Sequence, residues 1–171
     1  SFDVDVVTAL PYYHEADRSS VSPRHENHQG VDVHRIRGTR FDKDRLPLRV
    51  INWISLTVLS TLELVVNHRD DDVRLVLSNP PVLPIGTWLA KRVSGTPYVY
   101  VIYDMYPEMP IVLGYFESDG IIARFWHGVM NQIYRDADRI VVLGDSMDQQ
   151  LRAKMADDPK FDPEKIETVP N

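Results

Sequence analysis

The stretch YDMYPEMP, residues 103–110, places acidic and phenolic side chains directly after the apolar run TPYVYVI. Proline cannot donate to a strand ladder, so Pro107 and Pro110 prevent the apolar strand from continuing. Asp104 and Glu108 are four residues apart, and paired carboxylates can divide the roles of general acid and general base. They could equally hold the loop by accepting backbone N–H bonds. Open α/β sheets bind ligands beyond the carboxyl ends of their strands, and this stretch follows such an end.

Motifs for several common reactions are absent from the sequence. None of the 171 residues is cysteine, which rules out a disulfide framework and a thiolate zinc site. The patterns G-x-G-x-x-G, G-x-x-x-x-G-K-[ST] and G-x-S-x-G are missing, which argues against a standard dinucleotide site, a P-loop and a nucleophile elbow. His25 and His28 have H-x-x-H spacing without obvious further ligands, so we predict no metal and no cofactor. The formal net charge of −6 argues against nucleic acid as a partner.

One stretch of the chain is basic, although the net charge of the whole chain is negative. Residues 34–49 carry six Arg or Lys against two Asp. This stretch is either a solvated loop or a contact for phosphate or an anionic lipid head group. The apolar run that follows, residues 50–66, is near the short limit for a membrane-spanning helix and contains Asn52 and Glu63. We therefore predict a buried or interfacial helix there rather than a transmembrane one.

Hydrophobic periodicity predicts strands that alternate with helices. The predicted strands are residues 3–8, 31–37, 73–78, 97–102, 139–143 and 165–169. The predicted helices are residues 45–67, a segment from NPPVLP to Ser94, residues 120–137, and a segment that starts at GDSMDQQL. The polar residues 11–30 are predicted as one loop, 31–37 as an outer strand and 97–102 as a central one. This order predicts an α/β fold with a Rossmann-like parallel sheet.

Local signals define the helix ends and the helix faces. Asp44 is the predicted cap of the 45–67 helix and Pro47 fits its first turn, whereas Gly95 ends the following helix. Ser146 and Gln149 have the spacing of a capping box. One continuous apolar stripe on the 120–137 helix is predicted to be core: Ile121, Ile122, Phe125, Trp126, Val129, Met130, Ile133 and Tyr134. On the last helix the predicted inward residues are Met147, Leu151 and Met155.

Several segments, taken in order, resemble the N-terminal domain of GT-B glycosyltransferases of glycosyltransferase family 4. The quoted segments are VDVVTALPYY, GVDVHRIRG, LVLSNPPVLPIGTWLAKRVSGTPYVYVIYDMYPE, YRDADRIVVLGDSM and KIETVPN. YDMYPE resembles the D-[LM]-[WY]-P-[ED] signature of a bacterial polysaccharide subgroup that includes aminosugar and fucosyl-type transferases. ADRIVVLGDSM and VPN resemble two further segments of that subgroup. The order and extent of these segments make the resemblance more specific than any one of them.

The resemblance implies one half of a two-domain GT-B architecture, the half that binds the acceptor. Residues 1–169 would form the N-terminal domain, and residues 170–171 would begin the linker to a missing C-terminal domain. The chain resembles the family from its second strand onward, so the first strand and its Gly-rich loop are expected to be absent. That strand would lie between the predicted strands 3–8 and 73–78. We expect the gap to be closed by direct pairing, by another chain, or by residues outside this sequence.

The resemblance also implies which residues face the acceptor and the transferred sugar. Asp104 would hydrogen-bond a sugar hydroxyl, Tyr106 would stack on the sugar or its carrier, and Glu108 would order the loop. Relatives often carry a histidine after this strand, where this sequence has Tyr103-Asp104, so we assign no catalytic residue. The further residues expected to line the same cleft are Tyr103, Ser78, Asn79, Tyr12, Tyr13 and His14.

The implied substrates are a nucleotide-sugar donor, bound mainly by the missing domain, and a glycan or lipid-linked acceptor. The enzyme would be a retaining glycosyltransferase of polysaccharide and cell-envelope biosynthesis, and this half alone would be inactive. It would be cytoplasmic, with peripheral contact at the inner membrane face and a potential for homo-oligomerisation. The basic residues expected to contact membrane or phosphate are Arg37, Arg40, Lys43, Arg45 and Arg49. The alternatives are a non-catalytic sugar- or nucleotide-binding domain and half of a nucleotide-sugar epimerase.

Overall fold

The computed structural model describes residues 3–10, 22–70, 72–115 and 117–170. The chain divides into two units, Ser1–Asn67 and His68–Asn171, and each is built on its own sheet. The described part of the first unit contains strands β1 (Val4–Ala9), β2 (His25–His28) and β3 (Val31–Ile36) and helix α1 (Leu46–Val66). The second unit contains strands β4 (Arg74–Leu77), β5 (Tyr98–Ile102), β6 (Arg139–Val142) and β7 (Ile166–Thr168). Its helices are α2 (Leu83–Ser94), α3 (Glu108–Val112), α4 (Ile121–Asp136) and α5 (Asp145–Met155).

The sheet of the first unit has the order β1-β3-β2, with β1 and β3 parallel and β2 antiparallel to β3. β3 is therefore the middle strand, and its predicted place at the outside of the sheet is wrong. The prediction of one loop over residues 11–30 is wrong at β2. The sequence HENH lacks apolar alternation, but β2 pairs with β3 through a tight turn in which Gln29 and Gly30 have φ of 53° and 87°.

Helix α1 is held to the segment before it by polar side chains on its inner face. Asn52 is 4% exposed, donates to the carbonyl of Phe41 and accepts from its N–H, both at 2.9 Å. Ser55 Oγ accepts the N–H of Thr39 at 3.0 Å. Pro47 lies in the first turn, as predicted, but the predicted cap by Asp44 is wrong. Arg45 occupies the N-cap position of α1, without a side-chain cap.

The second unit is a four-stranded parallel sheet of order β4-β5-β6-β7 flanked by helices, as the predicted α/β fold requires. β5 lies between two partners and is almost wholly buried, which confirms its predicted central position. Helix α2 ends at Gly95, whose φ of 75° is the left-handed conformation that glycine adopts at low cost. The predicted capping box is absent, since α5 starts at Gly144 without a side-chain cap and Ser146 instead bonds Gln150.

The core of the second unit is built from β5, β6, α4 and α5. Its fully buried large side chains include Tyr98, Tyr100, Ile102, Met130, Ile133, Tyr134, Ile140, Leu151 and Met155, the last two as predicted. The predicted stripe on α4 is core only in its later part. Ile121, Ile122 and Phe125 are 85%, 59% and 73% exposed, whereas Ala123 between them is fully buried.

Each sheet ends on a parallel strand with an open edge. β1 has β3 as its ladder partner and β4 has β5, and neither has a second partner among the described residues.

Candidate functional site

The loop after β5 exposes two polar side chains and buries the residues that follow them. Tyr103 is 47% exposed and Asp104 is half-buried, whereas Met105, Tyr106 and Pro107 are buried. Because the four strands are parallel, this loop leaves the sheet at its carboxyl edge. Tyr103 and Asp104 are thus presented at the edge where α/β sheets bind ligands.

Ser78 fixes the start of this loop from the neighbouring strand. Its side chain is fully buried, and its Oγ accepts the backbone N–H groups of Tyr103 at 2.9 Å and of Asp104 at 3.2 Å. Its own N–H donates to the carbonyl of Val101 at 3.1 Å, which extends the β4–β5 ladder. Ser78 therefore positions the loop rather than lining a surface, and the adjacent Asn79 is exposed.

Tyr106 anchors the middle of the loop against α4. It is 8% exposed, and its ring stacks on Trp126 with ring centroids 5.8 Å apart and an interplanar angle of 9°. One face of the Tyr106 ring is therefore occupied within the protein. The resemblance implied that this ring stacks on a sugar, and that role stays a prediction.

Glu108 begins α3 and holds the end of the loop through a partly buried ion pair. Its Oε1 accepts from Lys154 Nζ of α5 and lies 3.6 Å from His127 Nδ1 of α4. Its Oε2 is buried without a hydrogen-bond partner in the described residues. Burial lowers the pKa of Lys154, although its bond to Glu108 opposes the shift. Burial, followed by the charge of Lys154, also lowers the pKa of His127.

Two stacked tyrosines lie beside this ion pair. The Tyr100 and Tyr134 rings are 5.9 Å apart at 21°, and Lys154 Nζ lies 5.3 Å from the centroid of the Tyr134 ring. Both phenolic oxygens are buried and lack a hydrogen-bond partner in the described residues. Burial raises the pKa of both hydroxyls well above the ordinary value. They therefore stay neutral and available as hydrogen-bond donors.

The other predicted contact residues lie in the first unit. Tyr12, Tyr13 and His14 fall outside the described residues. Lys43 pairs with Asp44 at 3.2 Å. The remaining basic residues differ in their partners: Arg45 lies 3.6 Å from Asp42, Arg49 stacks over Trp53 at 5.2 Å, and Arg37 and Arg40 form no ion pair within the described ranges.

Arg37 also borders a groove of about 370 Å³ between the β2–β3 hairpin and α1. The polar residues along this groove are Arg24, His25, His34, Arg35, Arg37 and Glu63. His34 Nδ1 lies 3.4 Å from Glu63 Oε1. No group of three acidic, histidine or cysteine side chains in the described part of the chain could hold a metal ion.

One described helix, α1, is long and apolar enough to cross a bilayer by length and composition. Only 17% of its most apolar window is buried, so core packing does not account for that apolar character. Core helices and signal sequences pass the same criterion, and the finding alone assigns no membrane span.

Sequence reasoning missed two residues that hold the loop, namely Trp126 and Lys154. The apolar period of α4 predicts only core packing for Trp126. Lys154 lies 46 residues after Glu108, and the sequence contains no spacing signal for a pair so distant.

Comparison with known proteins identifies the family. Residues 1–171 match the model of the glycosyl transferase 4-like domain. Over 127 residues the chain is 30% identical to a Pseudomonas aeruginosa protein named probable glycosyltransferase WbjE. That stretch covers 74% of this chain and 32% of the relative, so the chain spans about a third of the length of the protein it matches. Together with the parallel α/β sheet, these matches confirm the resemblance drawn from the sequence: the chain belongs to the glycosyl transferase 4-like domain family.

Proposed function

We propose that this chain is the acceptor-binding part of a GT-B glycosyltransferase, active within a longer protein. The reaction moves a sugar from a nucleotide-sugar donor to a glycan or lipid-linked acceptor. The bond between the anomeric carbon and the donor phosphate oxygen breaks, a bond from that carbon to an acceptor hydroxyl oxygen forms, and the nucleotide leaves as its phosphate while the hydroxyl proton is released. The family match supports this function, and the observation that carries it is the presentation of Asp104 at the carboxyl edge of the sheet.

Asp104 and Glu108 have different surroundings, and we assign them different roles. Asp104 is half-buried and its backbone is fixed by Ser78, so its carboxylate is placed to accept hydrogen bonds from sugar hydroxyls. Glu108 is paired with Lys154, and that pairing suits it to holding the loop rather than to proton transfer. Asp104 thus orients the sugar, and the nucleotide-sugar is bound mainly by a second domain of the longer protein.

The test is Asp104→Asn in the full-length protein. We expect kcat/KM for sugar transfer to fall about 10- to 100-fold, because a hydrogen bond to a charged group contributes about 1.5–3 kcal/mol. The matched control is Asp157→Asn, an exposed carboxylate that follows α5. Transfer unchanged in the Asp104 variant would remove this residue from the site. A product that is an epimerised nucleotide-sugar, without transfer to an acceptor, would overturn the proposed function.

We further propose that α1 and the basic stretch before it contact an anionic membrane surface. The support is an apolar stripe along α1 with an i, i+3, i+7 period, each residue of which is at least 44% exposed. Its residues are Ile51, Ile54, Val58, Leu62 and Val66. Arg37 and Arg40 leave their charges unpaired within the described ranges; Arg40 precedes this helix closely in sequence, and Arg37 borders the groove beside its later turns. An apolar helix face beside basic side chains suits docking at a lipid surface.

Sedimentation with vesicles tests this contact. The variant Arg40→Glu/Lys43→Glu/Arg45→Glu should bind vesicles containing phosphatidylserine more weakly, with little change on neutral vesicles. A control with the same change of charge in the second unit is Arg139→Glu/Arg152→Glu/Lys160→Glu. Equal partitioning of the two triple variants would contradict the proposal.

A further inference from the structure

We propose that Lys154 is a positioning residue for the glycosyl-transfer site: its ammonium group, held between Glu108 and the Tyr134 ring, fixes the loop that presents Asp104. This inference rests on the proposed function, since it assigns the site a supporting residue. The ammonium group of Lys154 bonds Glu108 and lies over the Tyr134 ring, so we assign it an action on the loop through Glu108.

The loop is attached at three points, each on a different element. Ser78 of the β4 end holds the N–H groups at its start, Trp126 of α4 packs on Tyr106 at its middle, and Lys154 of α5 binds Glu108 at its end. Between the last two points the chain turns, with the N–H of Met109 donating to the carbonyl of Met105 at 3.0 Å. Tyr103 and Asp104 lie within this attached segment. We therefore expect a displacement of Glu108 to reach Asp104, which is four residues away.

The surroundings of Lys154 indicate a role in position rather than in stability alone. Its side chain is only 14% exposed, and removal of an ammonium group from water is costly unless the group is paired. A well-packed apolar residue would often stabilise a protein equally well or better at such a place. An apolar residue cannot donate a hydrogen bond to a carboxylate. Lys154 does so, and the direction of this bond fixes where the Glu108 carboxylate lies.

The arrangement around Glu108 also makes it depend on Lys154. The Oε2 atom is already buried without a partner in the described residues, and the Nδ1 atom of His127 is at 3.6 Å, beyond ordinary hydrogen-bond distance. Loss of the ammonium group would leave the Glu108 carboxylate, whose side chain is 34% exposed but whose Oε2 is buried, without a hydrogen-bonded charged donor. The carboxylate would then move toward water, and the turn that begins α3 would move with it.

Amide hydrogen exchange of the full-length protein tests whether Lys154 holds the loop, and it needs no substrate. In Lys154→Met, the amides of Met109 and Ile111, which bond the carbonyls of Met105 and Pro107, should exchange about 10- to 100-fold faster. The amides of β5 should keep their protection. Lys154→Arg should restore slow exchange, because the guanidinium group also donates to a carboxylate.

The matched control is Arg152→Met on the same helix, which removes an ion pair with Asp148 made within α5. This variant should leave exchange in the loop unchanged. If Lys154→Met does not fold, Glu108→Gln removes the same ion pair, and it should open the same amides. The inference would be overturned if the variant that folds left the amide exchange rates of the loop unchanged. It would also be overturned if exchange became equally faster in β5 and in the loop.

Transfer assays on the full-length protein separate this inference from the function on which it rests. We expect Lys154→Met to lower kcat/KM for transfer about tenfold or more and Lys154→Arg to recover it. Loop opening without any loss of transfer would overturn the positioning role. If instead Lys154→Met opens the loop and lowers transfer while Asp104→Asn leaves transfer intact, Lys154 remains a positioning residue and the assignment of Asp104 fails.

Discussion

Removal of the Ser78 hydroxyl is the sharpest test of how the candidate loop is held. Ser78→Ala deletes one fully buried oxygen that accepts two backbone N–H bonds, at 2.9 and 3.2 Å. Each net hydrogen bond is worth about 0.5–1.5 kcal/mol, so two bonds give about 1–3 kcal/mol. Tyr103 is exposed and Asp104 half-buried, so water can reach the freed donors in part. We therefore expect a loss of about 2 kcal/mol in the free energy of unfolding of the second unit.

Urea unfolding, monitored through hydrogen exchange of the β5 amides, measures this loss of free energy. With a slope of about 2 kcal/mol per molar urea, the midpoint should fall by about 1 M. The control is Ser146→Ala in the same unit, where an exposed hydroxyl accepts a 3.3 Å bond from Gln150. That change should cost less than about 0.5 kcal/mol. If Ser78→Ala costs no more than the control, Ser78 does not hold the loop as described.

Two further predictions concern polar groups that tie α4 to the rest of the second unit. Burial would raise the pKa of Asp136, but hydrogen bonds from Trp88 and Arg92 outweigh it and hold the pKa below its ordinary 3.8. Asp136→Asn should therefore lower the free energy of unfolding at pH 7. The urea midpoints of variant and wild type should converge as the pH falls below 3.8, since protonation of the wild-type carboxyl removes the same charge. A difference between the midpoints that stays constant down to pH 2 would refute this. Lys165, which is 5% exposed, donates to two carbonyls at the end of α4 at 2.7 and 3.0 Å. Lys165→Met should lower the free energy of unfolding by about 2–3 kcal/mol, and a loss below about 0.5 kcal/mol would show that water satisfies both carbonyls.

The strongest local patterns in the sequence determined most of the secondary structure and the location of the candidate site. The apolar run before Tyr103 could be only a buried strand, and the prolines after it had to end that strand, so the sequence placed Asp104 at a carboxyl edge. A 3.6-residue period fixed α1 and α4, and Gly95 fixed the end of α2 because glycine readily adopts the left-handed conformation that ends a helix. These features depend on residues adjacent in sequence, and tertiary contacts did not override them.

Pairing between distant residues decided the rest. β2 has a polar sequence and exists because β3 offers it a ladder partner, and at the start of α4 the structure buries Ala123 while its larger apolar neighbours stay exposed. Ser78 meets the loop across 25 residues and Lys154 meets Glu108 across 46. No periodicity or spacing encodes such contacts, since they arise only when β4, β5, α4 and α5 are brought together around one core. The sequence thus determined which side chains end the strand, and the tertiary structure decided which of them face solvent and which hold the loop.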